Sequence, residues 1–210
     1  MSDVTALFWD VGGVILTNGW DRRSRAAAAK KFGIDWEEFE DRHDLAFPAF
    51  ETGRITLDTY LQRTIFYRTR SFTREEFTDF ISAQSAEFPD SRAVLSDVAA
   101  TGKYLLATIN NEPLEINERR IREFNLRREF KAFFSSCYLG VRKPDEGIYK
   151  LALEVTQRDP QESIFIDDRE LNLECAKQLG MRTIHFQNAA QLRQDLASNG
   201  IIVPAVNPKT

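Results

Sequence analysis

Residues 7–16 read LFWDVGGVIL. The apolar run at 6–9 indicates a buried strand that ends on a carboxylate, Asp10. A buried carboxylate is costly unless a cation or hydrogen bonds meet it. Gly12 and Gly13 remove side chains where the backbone approaches another group, and amides in such a turn can bind an anion. The stretch predicts a nucleophile or metal ligand beside a phosphate-sized concavity, although a helix cap and a glycine turn are the simpler interpretation.

Composition favours a globular chain and excludes several kinds of partner. The 210 residues are 42% hydrophobic and 29% charged, enough for one domain with an insert. The formal net charge of −4 does not favour nucleic acid, and arginine-rich patches alternate with acids or apolar residues. We therefore expect no nucleic-acid partner, and the composition leaves the oligomeric state open.

The cysteines and the apolar runs bear on the compartment. Cys137 and Cys175 lie far apart in sequence and outside any CxxC pattern, so we expect free structural thiols. Residues 1–16 lack the pattern of a secretion signal, and no apolar run is long enough for a membrane span. The sequence thus predicts a cytoplasmic protein without a membrane partner.

Residues 17–89 are predicted to be all helical. The run at 26–31 favours a helix that stops near Gly33. Asp35 with Glu38 and Thr73 with Glu76 are typical N-terminal caps, the second a capping box, and Thr56 is a candidate for a third cap. Aromatic residues recur at helical spacing, which indicates a bundle core.

From residue 90 the pattern alternates between helix and strand. Helices are predicted at 91–100, from Pro113, at 145–156, at 171–179 and from Asn188. Strands are predicted at 4–10, 104–109, 133–134, 163–166 and 182–186, and the tail after Pro204 is predicted to fray. This alternation predicts an α/β fold, a Rossmann-like parallel sheet core made of 1–16 and 90–210, with 17–89 inserted as an all-α helical cap domain.

Polar residues fall at the ends of three predicted strands. Asp10 ends the first strand, Asn110 the second, and the pair Asp167 and Asp168 a later one. Ligands of parallel sheets bind beyond the carboxyl ends of the strands, so residues remote in sequence should share one edge.

Three carboxylates at one edge repel one another, and a divalent cation resolves the conflict. Oxygen ligands favour Mg²⁺, which readily accepts a phosphate oxygen of a substrate. Lys143, in a loop stiffened by Pro144, is the candidate cation for the substrate. The simpler interpretations are a solvated loop lysine and, for Asp167 and Asp168, a helix cap.

Four motifs together resemble the haloacid dehalogenase superfamily of hydrolases, in the subgroup with a helical cap inserted after the first motif. They are FWDVGGV (8–14), LLATINN (105–111), GVRKPDEGIY (140–149) and FIDDRELN (165–172). The phrases ETGRIT (51–56) and AKQLGMRTIHF (176–186) also resemble this subgroup. The resemblance covers nearly the whole chain and implies that the cap covers the active site.

The resemblance also implies roles for residues. Asp10 is the expected nucleophile and metal ligand, Gly12 offers a backbone carbonyl to the metal, and Lys143 supports catalysis. Asp168 is the likelier direct metal ligand from its spacing to Asn172, and Asp167 and Asn172 orient it. Phosphate contacts are expected from a set near the first two motifs: Gly12, Gly13, Thr108, Asn110 and Asn111, together with Lys143.

Two departures from the family pattern stand out. Most phosphatases of the family carry an acid–base Asp where this chain has Gly12, which leaves the proton donor to the leaving group undefined. In the second motif Ile109 precedes Asn110, so Thr108, Asn110 or backbone amides alone contact the phosphate.

The predicted function is Mg²⁺-dependent hydrolysis of a small phosphorylated metabolite through an aspartyl-phosphate on Asp10. A 2-haloacid dehalogenase and a catalytically weakened binding protein of the same fold are the alternatives. His43 and His185 are expected to be structural. Of Trp20, Arg22 and Arg23, at least two are expected at the surface.

Overall fold

The computed structural model describes residues 3–201. The five strands are β1 (Ala6–Trp9), β2 (Leu105–Asn110), β3 (Ala132–Ser135), β4 (Ser163–Asp167) and β5 (Arg182–His185). The first five helices are α1 (Arg22–Phe32), α2 (Trp36–Glu51), α3 (Leu57–Thr64), α4 (Arg74–Ser82) and α5 (Pro89–Ala100). The others are α6 (Leu114–Glu123), α7 (Ser136–Leu139), α8 (Glu146–Thr156), α9 (Glu170–Gln178) and α10 (Ala189–Ser198). The tail after Pro204 lies outside the described residues.

The strands form one parallel sheet in the order β3-β2-β1-β4-β5. Strand β1 is central, and Trp9 is paired with Thr108 on one side and Ile166 on the other. The carboxyl ends of β1, β2 and β4 therefore lie side by side. This arrangement confirms the predicted Rossmann-like sheet.

Helices cover both faces of the sheet, which explains why the central strand β1 is apolar throughout. On one face Leu7 and Trp9 pack with residues of α5 and α10, such as Val94 and Leu192. On the other face Phe8 packs with residues of α8 and α9. In the central strand β1 burial on both faces leaves no polar side chain before Asp10, which follows the strand end.

Helices α1 to α4 build a separate hydrophobic cluster around Phe39, Phe50, Tyr60 and Phe77. Their starts match the predicted caps, since Asp35, Thr56 and Thr73 each accept a backbone N–H of the first turn. The Thr73–Glu76 capping box is complete. Residues 17–89 accordingly carry helices and no strand, as their sequence predicted.

Two local features differ from the predictions. Helix α1 begins four residues earlier than predicted, because Asp21 caps it by accepting the N–H of Ser24. The short helix α7 follows β3 directly and was not predicted, since four residues carry no periodic signal.

Cys137 and Cys175 are free thiols, as expected. Among the helices of residues 3–201, none has both the length and the apolar character that a bilayer crossing requires.

Candidate active site

The predicted strand-end residues do converge. Asp10 follows β1 directly, Asp167 ends β4, and Asp168 comes next in the chain. One carboxylate oxygen from each of the three lies within 4.8 Å of the others. Parallel register of β1 and β4 produces this cluster, because it brings the ends of the two strands level.

Lys143 is the cation of the cluster. Its side chain is only 3% exposed, and its Nζ lies 2.9 Å from Asp10 Oδ2 and 2.6 Å from Asp167 Oδ2. Burial opposes the charge on Lys143, yet Asp10 and Asp167 outweigh it and raise the pKa of the ammonium. The simpler interpretation of Lys143 as a solvated loop lysine is therefore wrong.

Burial is also the main influence on Asp10. Burial, together with the neighbouring Asp167 and Asp168, raises the pKa of the Asp10 carboxyl to about 8 against the opposing effect of Lys143. Asp10 Oδ1 accepts the N–H of Val11 at 2.7 Å, which leaves Oδ2 as the oxygen toward Lys143. The site thus holds more negative charge than its one lysine balances.

Asp167 and Asp168 differ in their partners. Both oxygens of Asp167 are occupied: Oδ1 accepts the Arg169 N–H, Oδ2 contacts Lys143, and the Asn172 amide donates to both. Asp168 Oδ1 is buried and has no hydrogen-bond partner within residues 3–201. The unsatisfied oxygen supports Asp168 as the direct ligand of a cation, with Asp167 and Asn172 as supporting groups.

Gly13 has a role different from the predicted phosphate contact. Its φ is +80°, and a Cβ there would lie 2.4 Å from Asp168 Oδ2, so only glycine admits the carboxylate. Its amide is not free, because it donates to Leu16 O at 2.7 Å. The Val11 amide likewise donates to Asp10 Oδ1, so two amides of this turn already have acceptors within the protein, and the predicted phosphate concavity stays a prediction.

The side chains of the second motif are buried and hydrogen-bonded within the protein. Thr108 is fully buried and donates to Asn110 Oδ1, while the Asn110 amide donates to Asn117 Oδ1. Neither residue is among those that line the cavity with Asp10, and phosphate contacts by Thr108, Asn110 or the backbone amides stay a prediction. Asn111 lines the cavity and exchanges two hydrogen bonds with the backbone of Lys143, which positions that lysine.

Gly12 faces groups that the sequence did not single out. A Cβ on Gly12 would lie 2.8 Å from Asn18 Oδ1 and 3.8 Å from Arg120 Nη1. Arg120 Nη1 donates to Glu112 Oε2 at 2.6 Å, and both residues are buried. Arg120 Nη1 thus links the Glu112 carboxylate to the position that an acidic side chain at residue 12 would occupy. No sequence motif signals this pair; only its contact with Gly12 reveals it.

The carboxylate cluster opens into a cavity of about 500 Å³. Its walls carry residues of both the sheet edge and helices α1 and α2, among them Asp10, Lys143, Arg25, His43 and Phe47. Trp20 is buried in this wall, whereas Arg22 and Arg23 are exposed, as expected for two of the three. His43 lines the cavity too, and His185 is an exposed strand residue whose ring contacts Asp168 O.

A parallel sheet flanked by helices, with an acidic cluster and a buried lysine at its carboxyl edge, defines the chain as an α/β enzyme. The sequence model of the haloacid dehalogenase-like hydrolases matches residues 4–180. The chain belongs to this family of hydrolases, and the resemblance that its four motifs indicated is confirmed.

Characterised relatives include phosphatases. The chain is 30% identical over 175 residues to flavin mononucleotide hydrolase 1 of Arabidopsis thaliana, covering 82% of this chain and 69% of that protein. It is 25% identical over 205 residues to the D-ribitol-5-phosphate phosphatase of Bacteroides thetaiotaomicron, covering 90% and 95%. Several other relatives are much longer proteins, of which the chain spans 11% to 22%.

The fold is shared with a solved structure of a Bacteroides thetaiotaomicron enzyme of the family, bt-2542, in complex with magnesium and inorganic phosphate. The TM-score is 0.75 at 23% identity, over 90% of this chain and 98% of that one.

Proposed function

We propose that the protein is a Mg²⁺-dependent phosphatase of a small phosphorylated metabolite, with Asp10 as the nucleophile. The observation that carries the proposal is the charge arrangement at the strand ends. Asp10 contacts the ammonium of Lys143, while the neighbouring Asp168 keeps a buried oxygen without a partner. Phosphatases among the relatives support the same activity.

The donor set fits Mg²⁺. It consists of carboxylate oxygens, the ligands that Mg²⁺ prefers, and Asp168 Oδ1 lacks any other partner. Asp10, Asp168 and the backbone carbonyl of Gly12 would hold the ion, and Asp167 and Asn172 would orient Asp168 and Lys143. The ion would offset negative charge on the transferring phosphoryl group.

In the proposed reaction an Asp10 carboxylate oxygen forms a bond to phosphorus while the bond from phosphorus to the ester oxygen breaks. The leaving oxygen takes a proton and departs as an alcohol. Water then attacks the aspartyl-phosphate, which releases inorganic phosphate and restores Asp10. Lys143 stays charged beside both reacting groups and stabilises their negative charge.

We further propose that residues 17–89 act as a cap and that 1–16 and 90–210 form the catalytic core. Helix α2 reaches the core at its C-terminal end, where Ser136 Oγ donates to Glu51 O at 2.7 Å and Arg142 pairs with Glu51 at 2.6 Å. The same helix contributes His43 and Phe47 to the cavity. A cap in this position supplies the surface that contacts the leaving group.

The first test is phosphate release from phenyl phosphate with Mg²⁺ and with EDTA. Wild-type protein should release phosphate only with the metal, and Asp10→Asn should abolish release because an amide cannot form the aspartyl-phosphate. Asp145→Asn is the matched control, since Asn also caps a helix and α8 should keep its start. The control should retain activity.

Phosphate release by a folded Asp10→Asn protein would refute the covalent mechanism. Halide release from 2-chloropropionate that EDTA leaves unchanged would favour the dehalogenase, and inactivity toward both substrates would favour the binding protein.

A further inference from the structure

A chain of polar groups runs through the helical region to the cavity. Trp20 Nε1 donates to the Tyr60 hydroxyl at 2.9 Å, and that hydroxyl lies 2.7 Å from His43 Nδ1. All three side chains are buried, and His43 is only 4% exposed. Buried polar groups of this kind are normally satisfied within the protein.

The hydrogens of this chain can be assigned. The indole N–H only donates, so the Tyr60 oxygen accepts it. Thr64 is the other side chain near this hydroxyl, and its own hydrogen goes to the Tyr60 carbonyl. Within residues 3–201 the short contact of the hydroxyl is the one with His43 Nδ1, at 2.7 Å, so we assign the hydroxyl hydrogen to this contact. Nδ1 is therefore the unprotonated nitrogen of a neutral ring, and the hydrogen of the imidazole is on Nε2.

His43 Nε2 has no hydrogen-bond partner among residues 3–201, yet it is not one of the enclosed unsatisfied atoms of that part of the chain. Its ring lines the cavity that contains Asp10, and it packs on Phe47 with ring centres 4.4 Å apart. The N–H of Nε2 is therefore available to a molecule in the cavity.

We infer that His43 recognises the substrate by donating from Nε2 to an uncharged oxygen, a hydroxyl or a carbonyl, on the leaving group of the phosphate ester. The inference rests on the proposed phosphatase activity and extends it to the substrate class. Because the neutral imidazole carries no positive charge, its N–H is suited to an uncharged oxygen rather than to an anion.

The neutral form persists over the working pH range. Burial, and to a lesser extent the charge of Arg25, lowers the pKa of His43 to about 3. Arg25 itself is held by Glu40 through two hydrogen bonds and by Trp20 O, so it does not compete for the same oxygen. The ring therefore presents one fixed donor.

The test compares phenyl phosphate, whose leaving group has no polar atom beyond the ester oxygen, with esters that carry further oxygens. Ribitol 5-phosphate and glycerol 1-phosphate supply hydroxyls, and glyceraldehyde 3-phosphate and flavin mononucleotide supply carbonyls. His43→Phe keeps a ring beside Phe47 and removes the donor. It should lower kcat/KM for the preferred oxygen-bearing ester about tenfold more than kcat/KM for phenyl phosphate.

His43→Gln is the rescue variant, because its amide nitrogen reaches a similar position to Nε2 and also donates. It should restore most of the loss. An equal loss on phenyl phosphate, or no loss on any ester, would overturn the inference and leave the phosphatase activity standing. Wild-type protein that releases no phosphate from any ester would instead refute the proposed function.

Discussion

Gly12 replaces the acid–base residue of the family, and its surroundings determine what a side chain there could do. The φ of Gly12 is outside the left-handed region, and a Cβ would meet the end of the Asn18 side chain rather than backbone. A positioned general acid contributes about 10² to 10⁴ in rate. The absence of a general acid lowers the rate most when the leaving group is strongly basic.

We expect a preference for esters with stable leaving groups, such as sugar 1-phosphates, acyl phosphates and aryl phosphates, over simple alkyl phosphates. Gly12→Asp should raise kcat/KM for alkyl phosphates and narrow the preference, once Asn18 moves aside. Gly12→Asn fills the same volume but carries no acidic proton, so it should not raise kcat/KM for alkyl phosphates. The measurement is kcat/KM across esters of graded leaving-group pKa.

A wild-type rate independent of leaving-group pKa, with chemistry rate-limiting, would show that another group supplies the proton. Glu112 is then the residue to change, because it lies next to Arg120 on the Gly12 side of the cavity. In that event Glu112→Gln should restore the dependence on the leaving group.

The two neighbouring aspartates should differ in their effect on the metal. Asp168→Asn removes the negative charge of the proposed ligand and leaves one neutral amide oxygen, and we expect at least a 100-fold loss of apparent Mg²⁺ affinity. Asp167→Asn keeps the Asp168 carboxylate but removes the ion pair with Lys143 and weakens the supporting hydrogen bonds, for which about a tenfold loss is expected. Mg²⁺ titrations of activity and of the melting temperature measure both variants, and the reverse order would exchange the two roles.

The junction between α2 and α7 connects the helical region to the sheet. Gly53 follows α2 with φ +70°, and a Cβ there would lie 2.3 Å from Cys137 O. The backbone of the two segments is in contact at this point, next to the bonds of Ser136 and Arg142 to Glu51. This close approach explains the glycine of ETGRIT, which sequence alone marked only as a break in the pattern.

Gly53→Ala should lower the free energy of unfolding by about 1–3 kcal/mol more than Gly33→Ala. Both glycines have positive φ, so both variants carry the left-handed strain, but a Cβ on Gly33 meets nothing within 4 Å. Urea unfolding measures the difference. Equal losses of unfolding free energy for the two variants would show that the junction accommodates the added Cβ without a loss of stability.

The described part of the chain has three buried hydrophobic clusters, two against the sheet faces and one among α1 to α4. Ile116 of α6 joins the third cluster, so the helical region and the sheet region share packing. His43 lies in this region with its ring buried and neutral, which couples the stability of the chain to pH.

The sign follows from the lowered pKa. Folded protein holds His43 at a pKa of about 3, whereas an unfolded histidine titrates near 6.5, so stability is lost as pH falls below 6.5. At pH 5 this loss is about 2 kcal/mol. His43→Phe should reduce the difference in unfolding free energy between pH 7 and pH 5 by about that amount in urea titrations. An unchanged difference would mean that the ring is protonated in the folded state.

Local chemistry made much of this structure predictable from sequence. The caps at Asp35, Thr56 and Thr73, the apolar strands and the acidic residues after them depend on neighbours in the chain, and periodicity and capping report such contacts. Asp10, Lys143, Asp167 and Asp168 were therefore identified, and their place at strand ends implied their convergence.

Tertiary packing alone decided what each polar group at the site contacts. It enclosed Thr108 and Asn110, occupied the Gly13 amide, satisfied Asp167 but not Asp168, and brought His43 to the cavity. These outcomes depend on side chains from segments far apart in sequence, which meet only when the sheet order and the seating of α2 are established. Whether two polar atoms form a hydrogen bond depends on differences of a few tenths of an ångström in the distance between them. No local pattern in a sequence encodes distances between remote segments.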